Sequence, residues 1–560
     1  MKHFRNLLTM SLALLAFASC SKDEAGSDPG YVSSGEPTYA SFSFKVGGTS
    51  DTRASMGEEN ADENASAVKN ITLLIFEGND LGGRLEVNRF IDGGATATTV
   101  QTTSGVKRIY VIANAGDAST GISGKLRGLM VGSSTLQDFY SLMTDGEGND
   151  ADMGDEFKAL HADGAMLMSN VADLSAKKTL QPGITKEQSE SAGTSTAENF
   201  NNFSRRYFHT FTVSRAVAKG SVKIQLNGNQ LATEDGFTLS STATVVVRNL
   251  NRSTYFVQQY TNHNVDVSAT DHASDGALRP VVPFYNKFDG LPADKLVEEA
   301  TFAPYYFKYA FSDGKAATMA AAGGTATASK AVYFSPNSNN LSLRGNTSYF
   351  GIRAQITNIL ADKIAKKMNY SVDGVVKITS EPADTDYDGT QGFYYIREIP
   401  DDVLPKLGAP VRKVFTTQEG ALEAMYVILT YSASVNLSTQ GFTNTGDFSL
   451  QEFVAAVKAG TTLNAIDMQL IDRFIGHYEN GYCYYRLNIY ETAKPSDTKR
   501  HLIRRNHSYA ATITSFKSLG DPTEGDLDKE PEKPVDADAT YVTATISIAP
   551  WHNVNMSDDL

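Results

Sequence analysis

The sequence predicts an all-β protein of two β-sandwich domains with a few short helices and an exchangeable edge strand. Three observations lead there. The 560 residues are 41% hydrophobic and 10% aromatic, enough to bury cores and, at roughly 100–200 residues per domain, to fill two to four domains. Residues 68–76, 106–113, 241–247, 349–356, 424–431, 482–490 and 509–516 are rich in Val, Ile, Tyr and Thr and separated by Gly, Asn, Asp and Ser clusters, which is strand punctuation. Only two segments carry helix signals, so sandwiches are expected rather than a parallel α/β sheet. Ser449 to Glu452 forms a capping box, Leu450, Phe453, Val454 and Val457 share one helical face, and Gly460 closes it. Residues 135–143 place Leu136, Phe139 and Met143 in phase. The stretch 262–283 is polar and poor in strand formers, so the domain boundary is expected near it, giving domains over 54–270 and 271–520.

The amino terminus reads as an export signal over residues 1–19. Lys2, His3 and Arg5 precede an apolar run, Leu7–Phe17, too short to span a bilayer permanently. The run ends Ala16-Phe17-Ala18-Ser19-Cys20, which resembles the lipobox of bacterial lipoproteins, with Phe17 where Leu is usual. Cys20 is then the lipidated residue; the other reading is an ordinary cleaved signal with an incidental cysteine. Ser21-Lys22-Asp23-Glu24 resembles the charged tag of Bacteroidetes lipoproteins carried to the cell surface.

Fifty Lys and Arg against 64 Asp and Glu leave a net charge of −14. That argues against nucleic acid or an anionic membrane as the partner, since both need a basic footprint. Two cysteines, Cys20 and Cys483, are too few for a disulfide framework or a cysteine zinc site. Two segments break the globular pattern. Gly47–Asn70 is Gly, Ser, Asp, Glu and Asn-rich, which predicts a mobile, accessible loop. Gly520–Ala539 holds eight acidic residues, two lysines and three prolines; its 20 residues reach at most about 66 Å, and 521–539 reads as an extended tether.

Outside these two segments lie two strands of matching phase. Residues 39–46 alternate strictly, with Ala40, Phe42, Phe44 and Val46 on one face. Residues 541–548 put Val542, Ala544, Ile546 and Ile548 on one face. Either could fill the same groove, and burying the second set is worth on the order of 4–9 kcal/mol. Between Asp23 and Val68 the only basic residues are Lys45 and Arg53, so a protease specific for arginine could cut between Arg53 and Ala54 and free the first strand. Residues 20–53 would then be a propeptide and 540–560 a donor strand for a neighbour's sheet. The plainer reading is that both are ordinary edge strands of one subunit.

At this point the chain resembles the FimA-like fimbrilins, shaft subunits of the type V pili of Bacteroidetes, and most closely the major subunit of the short (minor) fimbriae. The resemblance rests on Phe17-Ala18-Ser19-Cys20, Thr52-Arg53-Ala54, residues 106–114 (VKRIYVIAN), Met166-Leu167-Met168-Ser169, residues 213–219 (VSRAVAK), Asn346-Thr347-Ser348-Tyr349, Arg504 through Tyr509, and Ala549-Pro550-Trp551. It implies two transthyretin-like sandwiches, export as a lipoprotein, cleavage after Arg53 and polymerisation by strand exchange. It also implies a head-to-tail homopolymer, accessory tip and anchor proteins, an arginine-specific maturation protease, and adhesion to host or bacterial surface receptors. The membrane would be met only transiently, through the Cys20 lipid of an outer-membrane precursor. A different class also fits the composition: a monomeric surface lipoprotein that binds glycan or host protein, or an accessory fimbrial subunit.

No residue set rises to an active site, so no catalysis, cofactor or metal is expected. Residues 384–389 (DTDYDG) open like an EF-hand loop, but Tyr395 stands where the bidentate Glu is required; an acidic turn or adventitious calcium are the two readings. His263, Asp266, Asp271 and His272 fit no metal spacing. Gly121–Lys125 lacks the phosphate-loop spacing. Cys483 sits in an aromatic strand as a small core residue. Trp551 either anchors the donor strand or caps a turn. Arg205-Arg206 and Arg504-Arg505 are discounted as cleavage sites because they flank strand-rich sequence.

Overall fold

A computed structural model describes residues 35–46, 67–93, 97–146, 154–161, 165–172, 174–193, 208–226, 228, 236–260, 280–320, 329, 331–338, 341–372, 376–408, 410–431, 451, 453–455, 474–491, 501–536 and 542–550. The described chain is all-β with a few short helices. Eight strands come first: β1 (Pro37–Val46), β2 (Asn70–Glu77), β3 (Leu85–Asp92), β4 (Ala97–Thr103), β5 (Gly105–Ala113), β6 (Met168–Ser169), β7 (Lys177–Leu180) and β8 (Phe208–Arg215). They form one sheet in the order β3-β2-β5-β6-β8-β1-β4, with β7 paired to β5. Alternate residues of every strand turn to a shared core, among them Phe42, Ile71, Leu73, Ile75, Ile109, Val111 and Phe211, as the two-residue strand period requires.

Strand β2 is buried from Ile71 to Phe76 because both its faces are covered. Its other face, with that of β5 (Leu74, Phe76, Tyr110, Ile112), packs under the helices Gly121–Arg127, Leu136–Tyr140 and Gly154–Leu160. The helix expected over 135–143 is thus present but short. Its start was legible: Thr135 and Asp138 form a capping box, Thr135 N–H donating to Asp138 at 2.7 Å and Asp138 N–H to Thr135 Oγ1 at 3.2 Å.

The chain continues through β9 (Ala218–Gln225), β10 (Phe237–Leu239), β11 (Thr242–Asn251), the pair β12 (Gln259–Tyr260) and β13 (Pro280–Val281), β14 (Tyr306–Lys308), β15 (Lys315–Ala320), β16 (Val332–Phe334) and β17 (Tyr349–Ile359). After these come the hairpin β18 (Ala365–Val372) and β19 (Val376–Pro382), then β20 (Phe393–Ile396), β21 (Val414–Phe415), β22 (Ile475–Tyr478), β23 (Tyr482–Asn488), β24 (His507–Phe516) and β25 (Val542–Pro550). The second sheet runs β10-β17-β11-β15-β9-β24-β25, with β14 on β11, β16 on β9 and β23 on β17. Between β17 and β23 an excursion builds its own core, from Ile378, Ile396, Phe415, Leu422, Met425, Phe453 and Phe474.

Four expectations change. The change of sheet falls at Ala216-Val217, not near residue 270: β9, β10 and β11 already belong to the second sheet, because β8 and β9 are joined without a polar turn. Residues 424–431 are not a strand but the end of the helix Gln418–Thr430. Ala421, Leu422, Ala424, Met425 and Ile428 are its buried face, a helical spacing visible only when the window starts before Ala424. Strand β1 is interior, flanked by β8 and β4, rather than an edge. And the expected tether is packed over 520–536, as described below. Of the second expected helix, residues 451 and 453–455 are helical with Phe453 and Val454 buried; the rest lies outside the described residues. No helix among the described residues is long and apolar enough to cross a membrane.

Candidate functional site: the first and last strands

The first strand is held on both sides. It pairs antiparallel with β4 from Pro37 opposite Thr103 to Ser43 opposite Ala97, and parallel with β8 from Ser41 opposite Phe208 to Val46 opposite Val213. Ala40 and Phe42 are fully buried, Phe44 is 8% exposed, and Val46 packs at the core margin. The Phe42 ring lies 6.1 Å from both Phe211 and the His209 imidazole. Burial, and next to it the charge of Lys178, push the His209 pKa down to about 4.

The polar side of β1 is also occupied, by hydroxyls. Ser41 shares hydrogen bonds with Thr99 (2.6 Å) and Ser189 (2.8 Å), and Ser43 with Thr210 (2.7 Å). Ser189 belongs to the helix Lys186–Gly193, which packs on β1. The Thr38 hydroxyl donates to the Gln181 carbonyl at 2.7 Å and accepts from Ile184 N–H at 3.1 Å.

The last strand is held on one side. β25 pairs antiparallel with β24 from Val542 opposite Phe516 to Pro550 opposite His507 and forms the end of the second sheet. Val542 (3% exposed) and Ile546 (8%) enter the core, with Ala544 against it. The backbone of Ile548 lies opposite Tyr509; its side chain lies outside the described residues, as do Cys20, Arg53, Ala54, Trp551, Arg205, Arg206 and the His263–His272 group.

Residues 520–536, expected to run free, strap across the second sheet. Asp521 and Tyr484 exchange backbone hydrogen bonds of 2.7 and 2.8 Å, and Arg397 reaches the Asp521 carboxylate at 3.0 Å. Thr523 and Asp526 cap a turn of helix, Glu524–Asp528, that buries Leu527 completely. Asp528 is the hub: it pairs with Arg248 (2.6 Å) and Lys308 (3.2 Å) and accepts from the Tyr349 hydroxyl (2.7 Å), while Glu524 pairs with the same Arg248. Arg486 stacks over the Tyr349 ring at 3.7 Å and donates to the Leu527 carbonyl. Further on, Arg344 and Gly345 N–H groups donate to the Lys533 and Pro531 carbonyls, and His501 meets Asp536 at 3.1 Å. The acidic strap is anchored because each end of this run finds cations or open backbone groups. Residues 537–541 alone then separate the strap from β25, a reach of about 17 Å rather than 66 Å. The cations that hold the strap were missed in the sequence; eight acids in 20 residues were the available signal.

Other candidates resolve simply. In the 384–389 turn each carboxylate has a protein partner: Asp384 with Lys366, Asp386 accepting from Ala361 N–H, and Asp388 from Thr390 N–H and hydroxyl. Among the described residues no group of three or more His, Cys, Asp or Glu could hold a metal. Cys483 is buried, and burial pushes its thiol up to about 12, away from nucleophilic use. Arg505 is enclosed, donating to the Phe256 and Tyr255 carbonyls and the Thr254 hydroxyl, which keeps the Arg504-Arg505 bond from a protease. Lys125 serves an ion pair with Asp145 and Glu156.

The last strand and all but the first three residues of the first strand lie inside regions shared with known proteins. Residues 40–152 match the family of the major fimbrial subunit protein (FimA), and residues 476–556 match the C-terminal region of fimbrillin, the type IV major fimbrial subunit protein. The protein is therefore a subunit of a cell-surface fimbria. More particularly, over these two regions it matches the FimA-like fimbrillins. Against curated protein sequences the chain has no match. Among solved structures it is similar to a fimbrilin (FimA) from Porphyromonas gingivalis, at 14% identity and a TM-score of 0.37 over 92% of this chain and 98% of that one. It is also similar to the tip fimbrial protein Mfa3 from the same organism (11% identity, TM-score 0.31, 92% and 100% covered) and to its fimbrial anchor protein Mfa2 (9%, 0.24, 57% and 74%).

Proposed function

We propose that this fimbrial subunit forms the shaft: it is exported as a lipoprotein through Cys20, cut between Arg53 and Ala54, loses β1, and polymerises when the last strand of a neighbour fills the vacated groove. The observation that carries this reading is the inequality of the two strands. Removing β1 opens two hydrogen-bonding edges and an enclosed apolar slot, whereas releasing β25 opens one edge. A strand that moves from the second place to the first therefore satisfies more backbone groups than it abandons. The short 537–541 connection fits a neighbour seated directly against the strap. Polymerisation is head to tail because donor and acceptor lie on different sheets. Accessory tip and anchor proteins would end the polymer, an arginine-specific protease would start it, and host or bacterial surface receptors would be its adhesive partners.

The test is the amino terminus of protein sheared from the cell surface. Ala54 as the first residue is expected. A triacylated Cys20 on the bulk of the surface protein would establish the anchored, monomeric binder instead. As a second check, Cys20→Ala should strand the precursor inside the envelope without unfolding it.

A further inference from the structure

The β1 slot has positions of unequal size, and that inequality sets which donor residue enters which position. We infer that the incoming strand from a second copy of this chain runs in the direction of β1 with Ala544 at the place of Ala40, Ile546 at Phe42, Ile548 at Phe44 and Thr545 at Ser41. This rests on the donor-strand reading and gives it a register.

The inward positions decide. The backbone at Ala40 faces Val100 across the ladder, and its side chain is fully buried, so the site is closed around a methyl group. Phe42 is fully buried between His209 and Phe211, and Phe44 is 8% exposed, so the next two positions are large. The donor offers one small residue, Ala544, followed by two large ones, Ile546 and Ile548. Sliding the donor two residues, with Val542 at Ala40, would put Ala544 into the Phe42 position. That leaves a cavity at the largest site while crowding the smallest, and close-packed interiors resist both. Reversing the strand would set Val542 and Thr540 at the two phenylalanine positions, again underfilling them. Val542 falls on Thr38, nearly the same shape without the hydroxyl.

The outward positions agree without choosing. Thr545 takes the place of Ser41, beside Thr99 and Ser189, and Ser547 that of Ser43, beside Thr210. A slide of two residues would still set Thr543 and Thr545 at these hydroxyl sites and would put Thr540 at Thr38, keeping the bonds to Gln181 and Ile184 that Val542 gives up; the volumes at Ala40 and Phe42 outweigh that one hydroxyl and carry the choice.

Cross-linking reads the register directly. Ser41 faces Thr99, and facing residues of antiparallel strands are about 4.5–5.5 Å apart at Cα, within the span of a disulfide. Chains carrying Thr99→Cys with Thr545→Cys should give fimbriae that run as a reducible ladder on a non-reducing gel, whereas Thr99→Cys with Thr543→Cys should give monomer. The opposite pattern overturns this register and leaves donor-strand exchange standing. Filaments with no ladder from either pair likewise overturn this register, whereas filaments from protein lacking residues 540–560 would overturn the donor reading itself. If a double variant forms no filaments, a synthetic peptide of residues 540–552 with cysteine at 545 or 543 can be added to processed Thr99→Cys protein. Capture of the 545 peptide alone is expected, and capture of the 543 peptide or of neither counts against the register. In a separate variant, Ala544→Phe should abolish polymer, while polymer retained at the wild-type level would show that residue 544 meets a large position.

Discussion

The first and last strands alternate in the same way yet are built into the molecule differently. β1 lies between two strands and under a helix, with hydroxyl pairs on one side and a closed core on the other. β25 leans on β24 alone. The apolar contribution does not separate them: Phe42 with Phe44, or Val542 with Ile546, each bury about 3–6 kcal/mol of side chain. What separates them is the number of ladders each completes. A strand that completes two ladders leaves only when its covalent link to the rest is cut, whereas one that completes a single ladder can exchange. In the proposed assembly, cleavage and exchange would fall to different ends by sheet position, not by sequence pattern.

The sharpest way to break this comparison is to keep the first strand in place. Arg53→Ala should leave the precursor uncut, with β1 filling its slot and filaments absent from negative-stain images of the surface fraction. Normal filaments from that variant would mean the slot is not the acceptor. The other end should show the same loss with a cost in stability added. Deleting 540–560 should also abolish filaments, and in addition uncover β24 and remove Val542 and Ile546 from the second core. A loss of about 3–6 kcal/mol in denaturant unfolding is expected for the second sheet, with the first sheet unaffected. A deletion that costs no stability would show that β25 is not seated on β24.

This contrast was only half legible in the sequence. The alternation of Ala40 to Val46 and of Val542 to Ile548, and the strands at 70–77, 105–113, 349–359 and 482–488, are local patterns that periodicity exposes. Sheet position is not local. Nothing in residues 37–46 states that Thr103 and Phe208 will lie on either side. The strap was misjudged for the same reason. Its acids looked solvated because their partners stand far away in the chain: Asp528 and Glu524 are 280 and 276 residues from Arg248. The helix Gln418–Thr430 was misread from the opposite cause, a locally strand-like run of Tyr, Val, Ile and Thr overridden by packing of its Ala421, Leu422 and Met425 face.

In the proposed exchange the strap would also limit how far the last strand travels, and Asp528 tests how firmly the strap is held. Its side chain and that of Arg248 are each 7% exposed, so Asp528→Asn should cost about 3–5 kcal/mol in unfolding by leaving a buried cation short of its partner. The pH dependence has a sign. Burial alone would raise the Asp528 carboxyl, but Arg248, Lys308 and the Tyr349 hydroxyl outweigh it and hold it below the ordinary 3.8. Its contribution is therefore complete above that value and is lost as pH falls through the lower folded value. Asp521, in the same strap, is raised by burial despite Arg397; its ionised form costs stability, and the cost is relieved as pH falls from the raised folded value toward the ordinary one. Asp528→Asn should flatten the acid side of the stability curve, whereas Asp521→Asn should remove the opposing rise. Identical acid limbs for both variants would show that the strap is not held by these charges.

The smallest effect is the most direct report on the slot. His209 is held near pKa 4 by burial and by Lys178 while the ring of Phe42 lies against it. With β1 gone and no donor present, the imidazole meets water on that side, and its pKa should climb toward the ordinary 6.5. Because the occupied slot favours the neutral ring, acidification from pH 6.5 toward 4 should weaken whichever strand fills it, and the loss is complete below about 4. Ring-proton NMR titration of the uncut precursor and of processed monomer, with His209→Gln to assign the signal among nine histidines, measures the difference. A low value in the precursor, a high value in the monomer and a return to the low value on adding a peptide of residues 540–552 would show one slot filled in turn by two strands. If the value stays near 4 in the processed monomer, the slot closes after cleavage, and a donor would have to reopen it.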